Sequence, residues 1–322
     1  MPNKLVSIVI SAFNEQDNVQ ELYKQLKNEL KKVDVKYELI YVDDGSSDNT
    51  YANCLKLQKK DNAVKIVQLK RNFGHEIAMT AGMDYAKGDA VIFMDADLQH
   101  PPHYIPQMIE LWQQGKEIVL TKRVDNKDTS GLYKLCAKSF YFVLNLLSER
   151  KIMESAPDFR LLDRKYVDFL KGFNEQDRLF RGLLSWIMPN DNVAMIDFVA
   201  PERFSGESKY NFIKSLRLAI NSIVQFSVLP LRLATYFGLI TAFLAVLLGV
   251  YVFAEHFFLH NPTPGYATLM ITMIFLGSVQ LIALGIIGEY IGKIHMEVKK
   301  RPLYMADYIE QKATKNGDKK DI

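Results

Sequence analysis

The sequence predicts an α/β domain with a Rossmann-like, mostly parallel sheet and helices on both faces, followed by a C-terminal two-helix transmembrane hairpin. Three observations predict this fold. Short apolar segments alternate with segments of helical periodicity early in the chain, polar residues follow the ends of the apolar segments, and two long uncharged stretches come later. The chain of 322 residues is long enough for one large domain with an appendage.

The first apolar segment, Leu5–Ile10, has the pattern of a buried strand. It is short, β-branched and soon followed by polar residues, unlike a signal peptide, so we expect the domain that starts there to stay in the cytoplasm. A helix follows, because apolar residues recur at helical spacing from Val19 to Val33. The later elements are a strand at Tyr37–Val42, a helix, a strand at Val64–Leu69, a helix around Glu76–Ala86 and a strand at Ala90–Met94.

This alternation of strands and helices favours parallel βαβ units. Open sheets of that kind bind ligands beyond the carboxyl ends of their strands, and the polar residues of this chain cluster there. The pattern between about 131 and 203 is less periodic and predicts no particular element. Asn211–Val228 then has the pattern of an amphipathic helix.

Two uncharged stretches, Leu233–Ala254 and Thr268–Gly288, reach the roughly 20 residues that a membrane-spanning helix needs. Both are apolar all round, which favours membrane spans over buried helices of a soluble bundle. The loop between them has no Lys or Arg and their outer flanks are basic, so the positive-inside rule places the α/β domain and both termini in the cytoplasm. The predicted divisions are the domain at 1–210, a juxtamembrane helix at 211–232, the hairpin at 233–291 and a cytoplasmic tail at 292–322.

Charge and cysteine content exclude other classes of protein. The net charge of +3 is too small to indicate a nucleic-acid partner, and the sequence has no basic recognition helix. Cys54 and Cys136 lie far apart without metal-type spacing. They are typical of a reducing compartment and predict neither a disulfide framework nor a zinc site.

The first candidate site is Asp95-Ala96-Asp97, which follows the strand at Ala90–Met94. Two carboxylates one residue apart provide the oxygen ligands that Mg²⁺ or Mn²⁺ prefers, and such a cation commonly bridges protein carboxylates to substrate phosphates. There it would neutralise charge on a departing nucleoside diphosphate. The alternative is a solvated turn, because an isolated Asp-x-Asp is common.

The second candidate site is Asp43-Asp44-Gly45-Ser46-Ser47-Asp48, again directly after a strand. Its carboxylates can accept hydrogen bonds from a uracil N–H or a ribose hydroxyl. The same residue types also suit a turn followed by a capped helix, and the pattern leaves both interpretations open.

The order and spacing of four segments resemble the family 2 glycosyltransferases, which have the GT-A fold. The segments are Ser-Ala-Phe-Asn-Glu at 11–15, Val-Asp-Asp-Gly-Ser-Ser-Asp at 42–48, Arg-Asn-Phe-Gly-His at 71–75 and Asp-Ala-Asp-Leu-Gln-His-Pro-Pro at 95–102. With Asp-Phe-Arg-Leu-Leu-Asp-Arg at 158–164, Arg-Phe-Ser-Gly-Glu-Ser-Lys-Tyr at 203–210 and the hairpin, the chain is similar to the polyprenyl-phosphate glycosyltransferases. That branch includes dolichol-phosphate mannose synthases and bacterial undecaprenyl-phosphate glucosyl- and N-acetylglucosaminyltransferases.

The resemblance implies a metal-dependent enzyme that moves glucose or N-acetylglucosamine from a UDP-sugar to undecaprenyl phosphate at the cytoplasmic membrane face, for envelope glycan modification. It implies that Asp44 pairs with the base and that Asp95 and Asp97 hold Mg²⁺ or Mn²⁺. Relatives often have Pro at the position of Ser11, a departure that leaves the expected fold unchanged. The implied nucleotide-sugar contacts are Ser11, Phe13, Asn14, Glu15, Asp43, Asp44, Arg71, Asp95 and Gln99.

The acceptor side can be argued from chemistry. A lipid phosphate has a second pKa near ~6, so it carries a nucleophilic oxygen at neutral pH without help from a base. The site must instead hold two anionic groups together, which favours Arg and Lys. The candidate contacts to the acceptor phosphate are Arg123, Arg160, Arg203 and Lys209, any of which is also compatible with a surface charge.

We expect the catalytic set to comprise Asp97, Asp158, Arg160 and Arg203. The resemblance implies that Asp158 acts as a base or orients the acceptor, and the chemistry favours orientation. Transfer by one in-line displacement would invert the anomeric centre. A diphosphate held by a metal needs no proton donor, so we expect His75 and His100 not to act as acid–base groups, and His75 to cap or pack near a helix start.

Three alternatives remain within reach of the sequence. A processive polysaccharide synthase would carry a Gln-x-x-Arg-Trp motif, which this chain lacks. A GDP-mannose-dependent mannose synthase shares the strand-end pattern, and a non-catalytic membrane scaffold could retain the fold. The resemblance also implies a homo-oligomer. Glycines at 277, 285, 288 and 292 would permit close helix packing between chains or within the hairpin itself.

Overall fold

The computed structural model describes residues 4–124, 158–173, 175–176, 178–189, 191–199, 229–254 and 265–309. These residues divide into two compact units, an α/β domain that includes the segment after residue 300, and a unit containing two long helices. The predicted amphipathic helix at 211–228 and the candidate residues Arg203 and Lys209 lie outside the described residues.

The α/β domain alternates strands and helices as the hydrophobic pattern predicts. Its strands are β1 (Leu5–Ala12), β2 (Lys36–Asp43), β3 (Val64–Leu69), β4 (Ala90–Asp95), β5 (Ile118–Arg123), β6 (Arg160–Asp163), β7 (Val193–Phe198) and β8 (Ala306–Ile309). Its helices are α1 (Val19–Leu30), α2 (Thr50–Lys60), α3 (His75–Tyr85), α4 (Ile105–Gln113), α5 (Arg164–Lys171) and α6 (Phe180–Ile187).

The strands form one mixed sheet in the order β7-β5-β6-β4-β1-β2-β3-β8. The central strands β4, β1, β2 and β3 are parallel, as predicted, and β5 pairs with β7 in parallel. The strand β6 runs antiparallel to both β4 and β5, and β8 runs antiparallel to β3. The GT-A-like, mostly parallel sheet of the prediction is therefore confirmed, with antiparallel strands added beyond its centre.

Apolar side chains cover both faces of the sheet. Alternation along β1 sends Ile8 and Ile10 to one face, where α1, α2 and α4 pack, and Val9 to the other, where α3, α5 and α6 pack. The packing of α3 on the sheet is close, because a Cβ at Gly82 would collide with the side chains of Val9 and Val42. This contact fixes the start of α3 relative to the ends of β1 and β2.

The last strand comes from beyond the long helices in sequence. Val67 pairs with Tyr308 across β3 and β8, and the Tyr308 ring stacks on Tyr85 with centroids 4.4 Å apart. The Tyr304 hydroxyl donates to Asp84 at 2.8 Å. The hydrophobic pattern predicted no strand in this part of the chain.

The second unit contains α7 (Leu229–Ala254) and α8 (Tyr266–Val298), which include the two predicted spans. Their apolar windows have mean hydropathies of 2.4 and 2.3, and neither window is buried within the protein. Both helices are therefore long and apolar enough to cross a membrane. A Cβ at Gly277, Gly285 or Gly288 would meet no described atom within 4 Å, so in this structure these glycines are not needed for contact between the two helices.

A buried ion pair lies near the edge of the sheet where β1 and β2 begin. Glu38 is 3% exposed and Lys65 is 8% exposed, and the Lys65 ammonium lies 2.6 Å from a Glu38 carboxylate oxygen. Glu38 also accepts the Ser7 hydroxyl and, at 2.7 Å, the Lys87 backbone N–H. Burial would raise the pKa of Glu38, but these hydrogen bonds outweigh burial and lower it. The pair therefore depends on mutual compensation inside the protein.

We predict that Glu38→Ala lowers the free energy of unfolding by about 3–5 kcal/mol, because the Lys65 charge then loses this carboxylate. The double variant Glu38→Met, Lys65→Met should recover most of that stability, since a buried pair replaced by apolar residues is often neutral. Thermal unfolding of detergent-purified protein measures both. Lys32→Ala, which removes the exposed Glu29–Lys32 pair, is the control and should cost less than about 1 kcal/mol. A Glu38→Ala effect as small as the control would contradict this prediction.

Candidate active site

A cavity of about 270 Å³ opens at the carboxyl ends of β1, β2 and β4. This is the edge at which ligands bind in open parallel sheets. The cavity wall combines residues from four loops that are far apart in sequence. The lining residues are Ser11, Ala12, Phe13, Glu15, Asp44, Asn72, Gly74, His75, Asp95, Ala96 and Asp97.

The strand register brings the two aspartate-rich segments together. Ser11 lies opposite Asp95 in the β1–β4 ladder, and Ala12 lies opposite Asp43 in the β1–β2 ladder. The Ser11 hydroxyl donates to the Asp95 carboxylate at 2.7 Å. Because β1 lies between the two other strands, its last residues connect both segments, and the predicted proximity of the two candidate sites is correct.

Asp44 holds the loop that precedes α3. Its two carboxylate oxygens accept the backbone N–H groups of Phe73, at 2.7 Å, and Gly74, at 2.9 Å. Burial raises the pKa of Asp44, and these two hydrogen bonds oppose that rise. The contact of Asp44 with a nucleotide base stays a prediction, and the structure gives this residue a second task, that of anchoring the loop.

Asp43 and Asn14 shape the neighbouring turns. Asp43 is fully buried, accepts the Ser46 backbone N–H at 3.3 Å, and has one carboxylate oxygen without a hydrogen-bond partner among the described residues. Asn14 adopts a left-handed conformation with φ of 57°, and its side-chain oxygen accepts the Ser47 backbone N–H at 2.9 Å. Asn14 therefore ties the loop after β1 to the turn after β2.

Asp95 and Asp97 face the cavity from the turn after β4. An Asp97 oxygen accepts the Gln99 backbone N–H at 3.0 Å, and Leu98 between them has a φ of 63°, an uncommon conformation for a bulky residue. Strained backbone of this kind concentrates at functional sites. The strain here keeps both carboxylates in one tight turn.

The charge around this turn fits a divalent cation. Burial raises the pKa of Glu15, a hydrogen bond from Asn18 opposes that rise, and the negative charges of Asp97 and Asp95 add to it. Three carboxylates thus influence one another across the cavity. Among the described residues, no group of three or more His, Cys, Asp or Glu side chains forms a metal site. A cation held by Asp95 and Asp97 would therefore keep coordination positions for substrate oxygens, as Mg²⁺ commonly does.

His75, the first residue of α3, bridges the two sides of the site. Its Nδ1 lies 3.0 Å from the Ser11 hydroxyl and 3.3 Å from an Asp95 oxygen, and its Nε2 lies 3.2 Å from an Asp158 oxygen. Burial would lower the pKa of His75, but the negative charges of Asp95 and Asp158 and the hydrogen bond to Asp158 raise it to about 9. Sequence reasoning predicted only a packing or capping role for this residue.

Asp158 reaches the site because β6 is antiparallel. Phe93 of β4 pairs with Arg160, so the residues that precede β6 meet the carboxyl end of β4. Arg160 is 1% exposed, forms an ion pair with Asp158, and places its guanidinium 5.7 Å from the centre of the Phe180 ring. The guanidinium therefore holds Asp158 in place, and its predicted contact with an acceptor phosphate stays a prediction.

The other predicted residues lie around this centre. Phe13 is 41% exposed at the cavity wall, and the Arg71 guanidinium lies 4.5 Å from the centre of the Phe73 ring. Arg123 is exposed at the end of β5, which points in the same direction as β4. His100 is buried, accepts the Asp95 backbone N–H at 2.9 Å and stacks on Phe159, which agrees with the expectation that it is not an acid–base group.

Sequence reasoning missed Asn72 and Gly74 as cavity residues and underestimated His75. All three follow β3, whose carboxyl end lies at the same sheet edge as those of β1 and β2. Their position after a parallel strand was the available signal, the same one that singled out Asp44 and Asp95.

Two family models match the chain. Residues 7–170 match Glycosyl transferase family 2, a stretch that runs from β1 into α5 and contains every cavity residue. Residues 229–294 match the GtrB C-terminal hairpin, which corresponds to α7 and most of α8. Both units of the chain therefore have counterparts in known families.

Similar proteins extend over nearly the whole chain. The SfII prophage-derived bactoprenol glucosyl transferase of Shigella flexneri is 40% identical over 93% of this chain and 96% of its own length. An uncharacterized glycosyltransferase of Synechocystis is 41% identical over 93% of this chain and 94% of its own length. The uncharacterized glycosyltransferase YkcC of Bacillus subtilis is 39% identical over 93% of this chain and 92% of its own length.

The close approach of Gly45 to the loop after β3 gives a testable prediction. Gly45 has a φ of 66°, and a Cβ there would collide with the backbone of Arg71 and lie 2.7 Å from the Asn72 nitrogen. Gly45→Ala should therefore cost about 1–2 kcal/mol in backbone strain and a further ~1–3 kcal/mol from the collision. It should also weaken binding of UDP with Mn²⁺, because Asn72 lines the cavity.

Gly115→Ala is the matched control. Gly115 also has a positive φ, 99°, but a Cβ there meets nothing within 4 Å among the described residues. The control should show only the strain cost in thermal unfolding and no change in UDP affinity by calorimetry. Equal effects of the two substitutions on both measurements would show that the contact between Gly45 and the loop is unimportant.

Proposed function

The chain belongs to glycosyl transferase family 2, and on that premise we propose that it transfers glucose from UDP-glucose to undecaprenyl phosphate at the cytoplasmic face of a membrane. The observation that carries this proposal is the 40% identity to a bactoprenol glucosyl transferase over 93% of the chain, with both the domain and the hairpin matched. N-acetylglucosamine is the second candidate sugar. The product would be a lipid-linked phosphosugar for modification of an envelope glycan.

The cavity supports a nucleotide-sugar donor. Phe13, Asn14 and the Asp44 turn surround the position at which a base and ribose would lie, and Ser11, Glu15 and Asp95 line the part next to Asp97. In this proposal Asp44 and the buried Asp43 contact the base or ribose, directly or through the loop that they hold. Arg71 and Gln99 would complete the contacts to the donor.

Asp95 and Asp97 would hold Mg²⁺ or Mn²⁺, with the diphosphate oxygens as further ligands. The cation supplies charge neutralisation for the departing nucleoside diphosphate. The protein contributes the fixed spacing of the two carboxylates, through the strained turn at Leu98 and the hydrogen bond from Ser11 to Asp95. Asp97 is therefore the residue whose loss should affect the reaction most.

The acceptor phosphate would attack the anomeric carbon in line with the leaving diphosphate and invert its configuration. Its oxygen is already anionic at neutral pH, so Asp158 need not remove a proton and would orient the acceptor. Arg160 fixes Asp158 in this proposal. Arg123, Arg203 and Lys209 remain the proposed contacts to the acceptor phosphate, where cations would offset the approach of two anions.

Membrane association places such a lipid within reach. The two apolar helices and the hairpin match support association with a bilayer. Following the basic flanks of the hairpin, we propose that the α/β domain and both termini lie in the cytoplasm. The segment 211–232 would lie along the interface. We also propose that the chain forms a homo-oligomer.

A transfer assay tests the function. Detergent-purified protein with undecaprenyl phosphate and Mg²⁺ or Mn²⁺ should move label from UDP-glucose into the organic phase, and EDTA should abolish the transfer. Asp97→Asn should lower turnover roughly 100-fold or more, since stabilisation of leaving-group charge by a metal is worth several kcal/mol. Asp34→Asn, in an exposed turn, is the control and should leave turnover unchanged.

Parallel reactions with UDP-N-acetylglucosamine and GDP-mannose identify the donor. Label from GDP-mannose alone would replace the proposed reaction by that of a mannose synthase. Folded protein that transfers label from none of the three donors would contradict the proposal, and failure to bind any of them by calorimetry would favour a membrane scaffold.

A further inference from the structure

The most informative unassigned contact of the site is the one made by His75. We propose that His75 is a positioning residue that couples the donor side of the site, at Ser11 and Asp95, to the acceptor side, at Asp158. This inference rests on the proposed function and adds to it a specific linkage between the two substrates.

The ring spans the two sides directly. Its Nδ1 lies 3.0 Å from the Ser11 hydroxyl and 3.3 Å from Asp95, while its Nε2 lies 3.2 Å from Asp158. The Ser11 hydroxyl in turn donates to Asp95 at 2.7 Å. One imidazole therefore fixes the separation between a proposed metal ligand and the carboxylate that we propose for the acceptor.

The backbone of His75 is held independently of the ring. Asp44 accepts the N–H groups of the two preceding residues, Phe73 and Gly74, and Gly74 has a φ of 98°. Further along α3, Gly82 lies in close contact with the strands β1 and β2. The start of α3 is thus anchored on the same strands whose ends carry Ser11 and the Asp44 turn, so the ring is presented from a rigid base.

The surroundings of the ring favour a role in the site over a role in the core. The His75 side chain is 37% exposed and lines the cavity, whereas buried His100 packs between aromatic rings. Asp158 is held on its other side by Arg160. Occupation of the donor side would therefore affect the position of Asp158 through one side chain, which is how residues behind metal ligands tune a site.

Substitutions that keep one half of the ring's contacts test this linkage. His75→Asn retains a polar group near the Nδ1 position, His75→Gln retains one near the Nε2 position, and His75→Ala removes both. We expect His75→Ala to lower kcat about 10–100-fold, as loss of a residue behind a metal ligand commonly does. The Asn variant should preserve the KM for UDP-glucose better than the KM for the lipid, and the Gln variant should do the reverse.

His103→Ala is the control, because His103 is an exposed histidine outside the cavity, and it should leave all three constants unchanged. Unaltered kcat and KM values in His75→Ala would overturn the inference. Equal losses in the Ala, Asn and Gln variants, together with lower melting temperatures, would also overturn it, because they would indicate a merely structural residue.

A double-mutant cycle on binding tests the coupling without turnover. Calorimetry with Mn²⁺ and UDP as probe should show that Asp158→Asn changes the UDP affinity several-fold in the presence of His75, and leaves it unchanged in the His75→Ala background. Additive effects in protein that binds UDP would overturn this inference alone. Wild-type protein that fails to bind UDP with Mn²⁺ would overturn the proposed donor and, with it, the inference.

Discussion

The parallel pairing of β1 with β2 and β4 is the constraint on which the site depends. This register places Ser11 beside Asp95 and Ala12 beside Asp43, so two aspartate-rich turns that are distant in sequence meet at one edge. Side chains alternate across a sheet, so a slip of one residue would turn Ser11 into the core. The buried layers on both faces, with Ile8 and Val9 on opposite sides, oppose such a slip.

Charge is the second constraint, and it connects the fold to the function. Glu15, Asp44, Asp95 and Asp97 line one small cavity, and neighbouring carboxylates disfavour one another's charged forms. Hydrogen bonds from the backbone, the Ser11 hydroxyl and His75 compensate part of this repulsion. A divalent cation with a nucleotide diphosphate would compensate more of it. The protein therefore holds an arrangement of charge that is favourable chiefly when a cationic ligand is present.

Local pattern predicted the central fold well. Continuous apolar runs located β1 to β4, and parallel topology predicted that the residues after these strands would meet. Pattern did not predict β6, which brings Asp158 to the site, or β8, because both depend on pairing between distant segments. It also could not show that Asp44 holds the loop before α3, or that His75 joins two carboxylates, since those contacts exist only after the strands are assembled.

The central claim is that Asp95 and Asp97 hold the cation that binds the donor diphosphate. Anomalous diffraction at the manganese edge, from crystals grown with Mn²⁺ and UDP, tests it most directly. The account predicts a manganese peak in contact with the carboxylates of Asp95 and Asp97, with UDP in the cavity next to Asp44. A manganese peak elsewhere, or UDP bound in this cavity with no manganese beside these carboxylates, would contradict it.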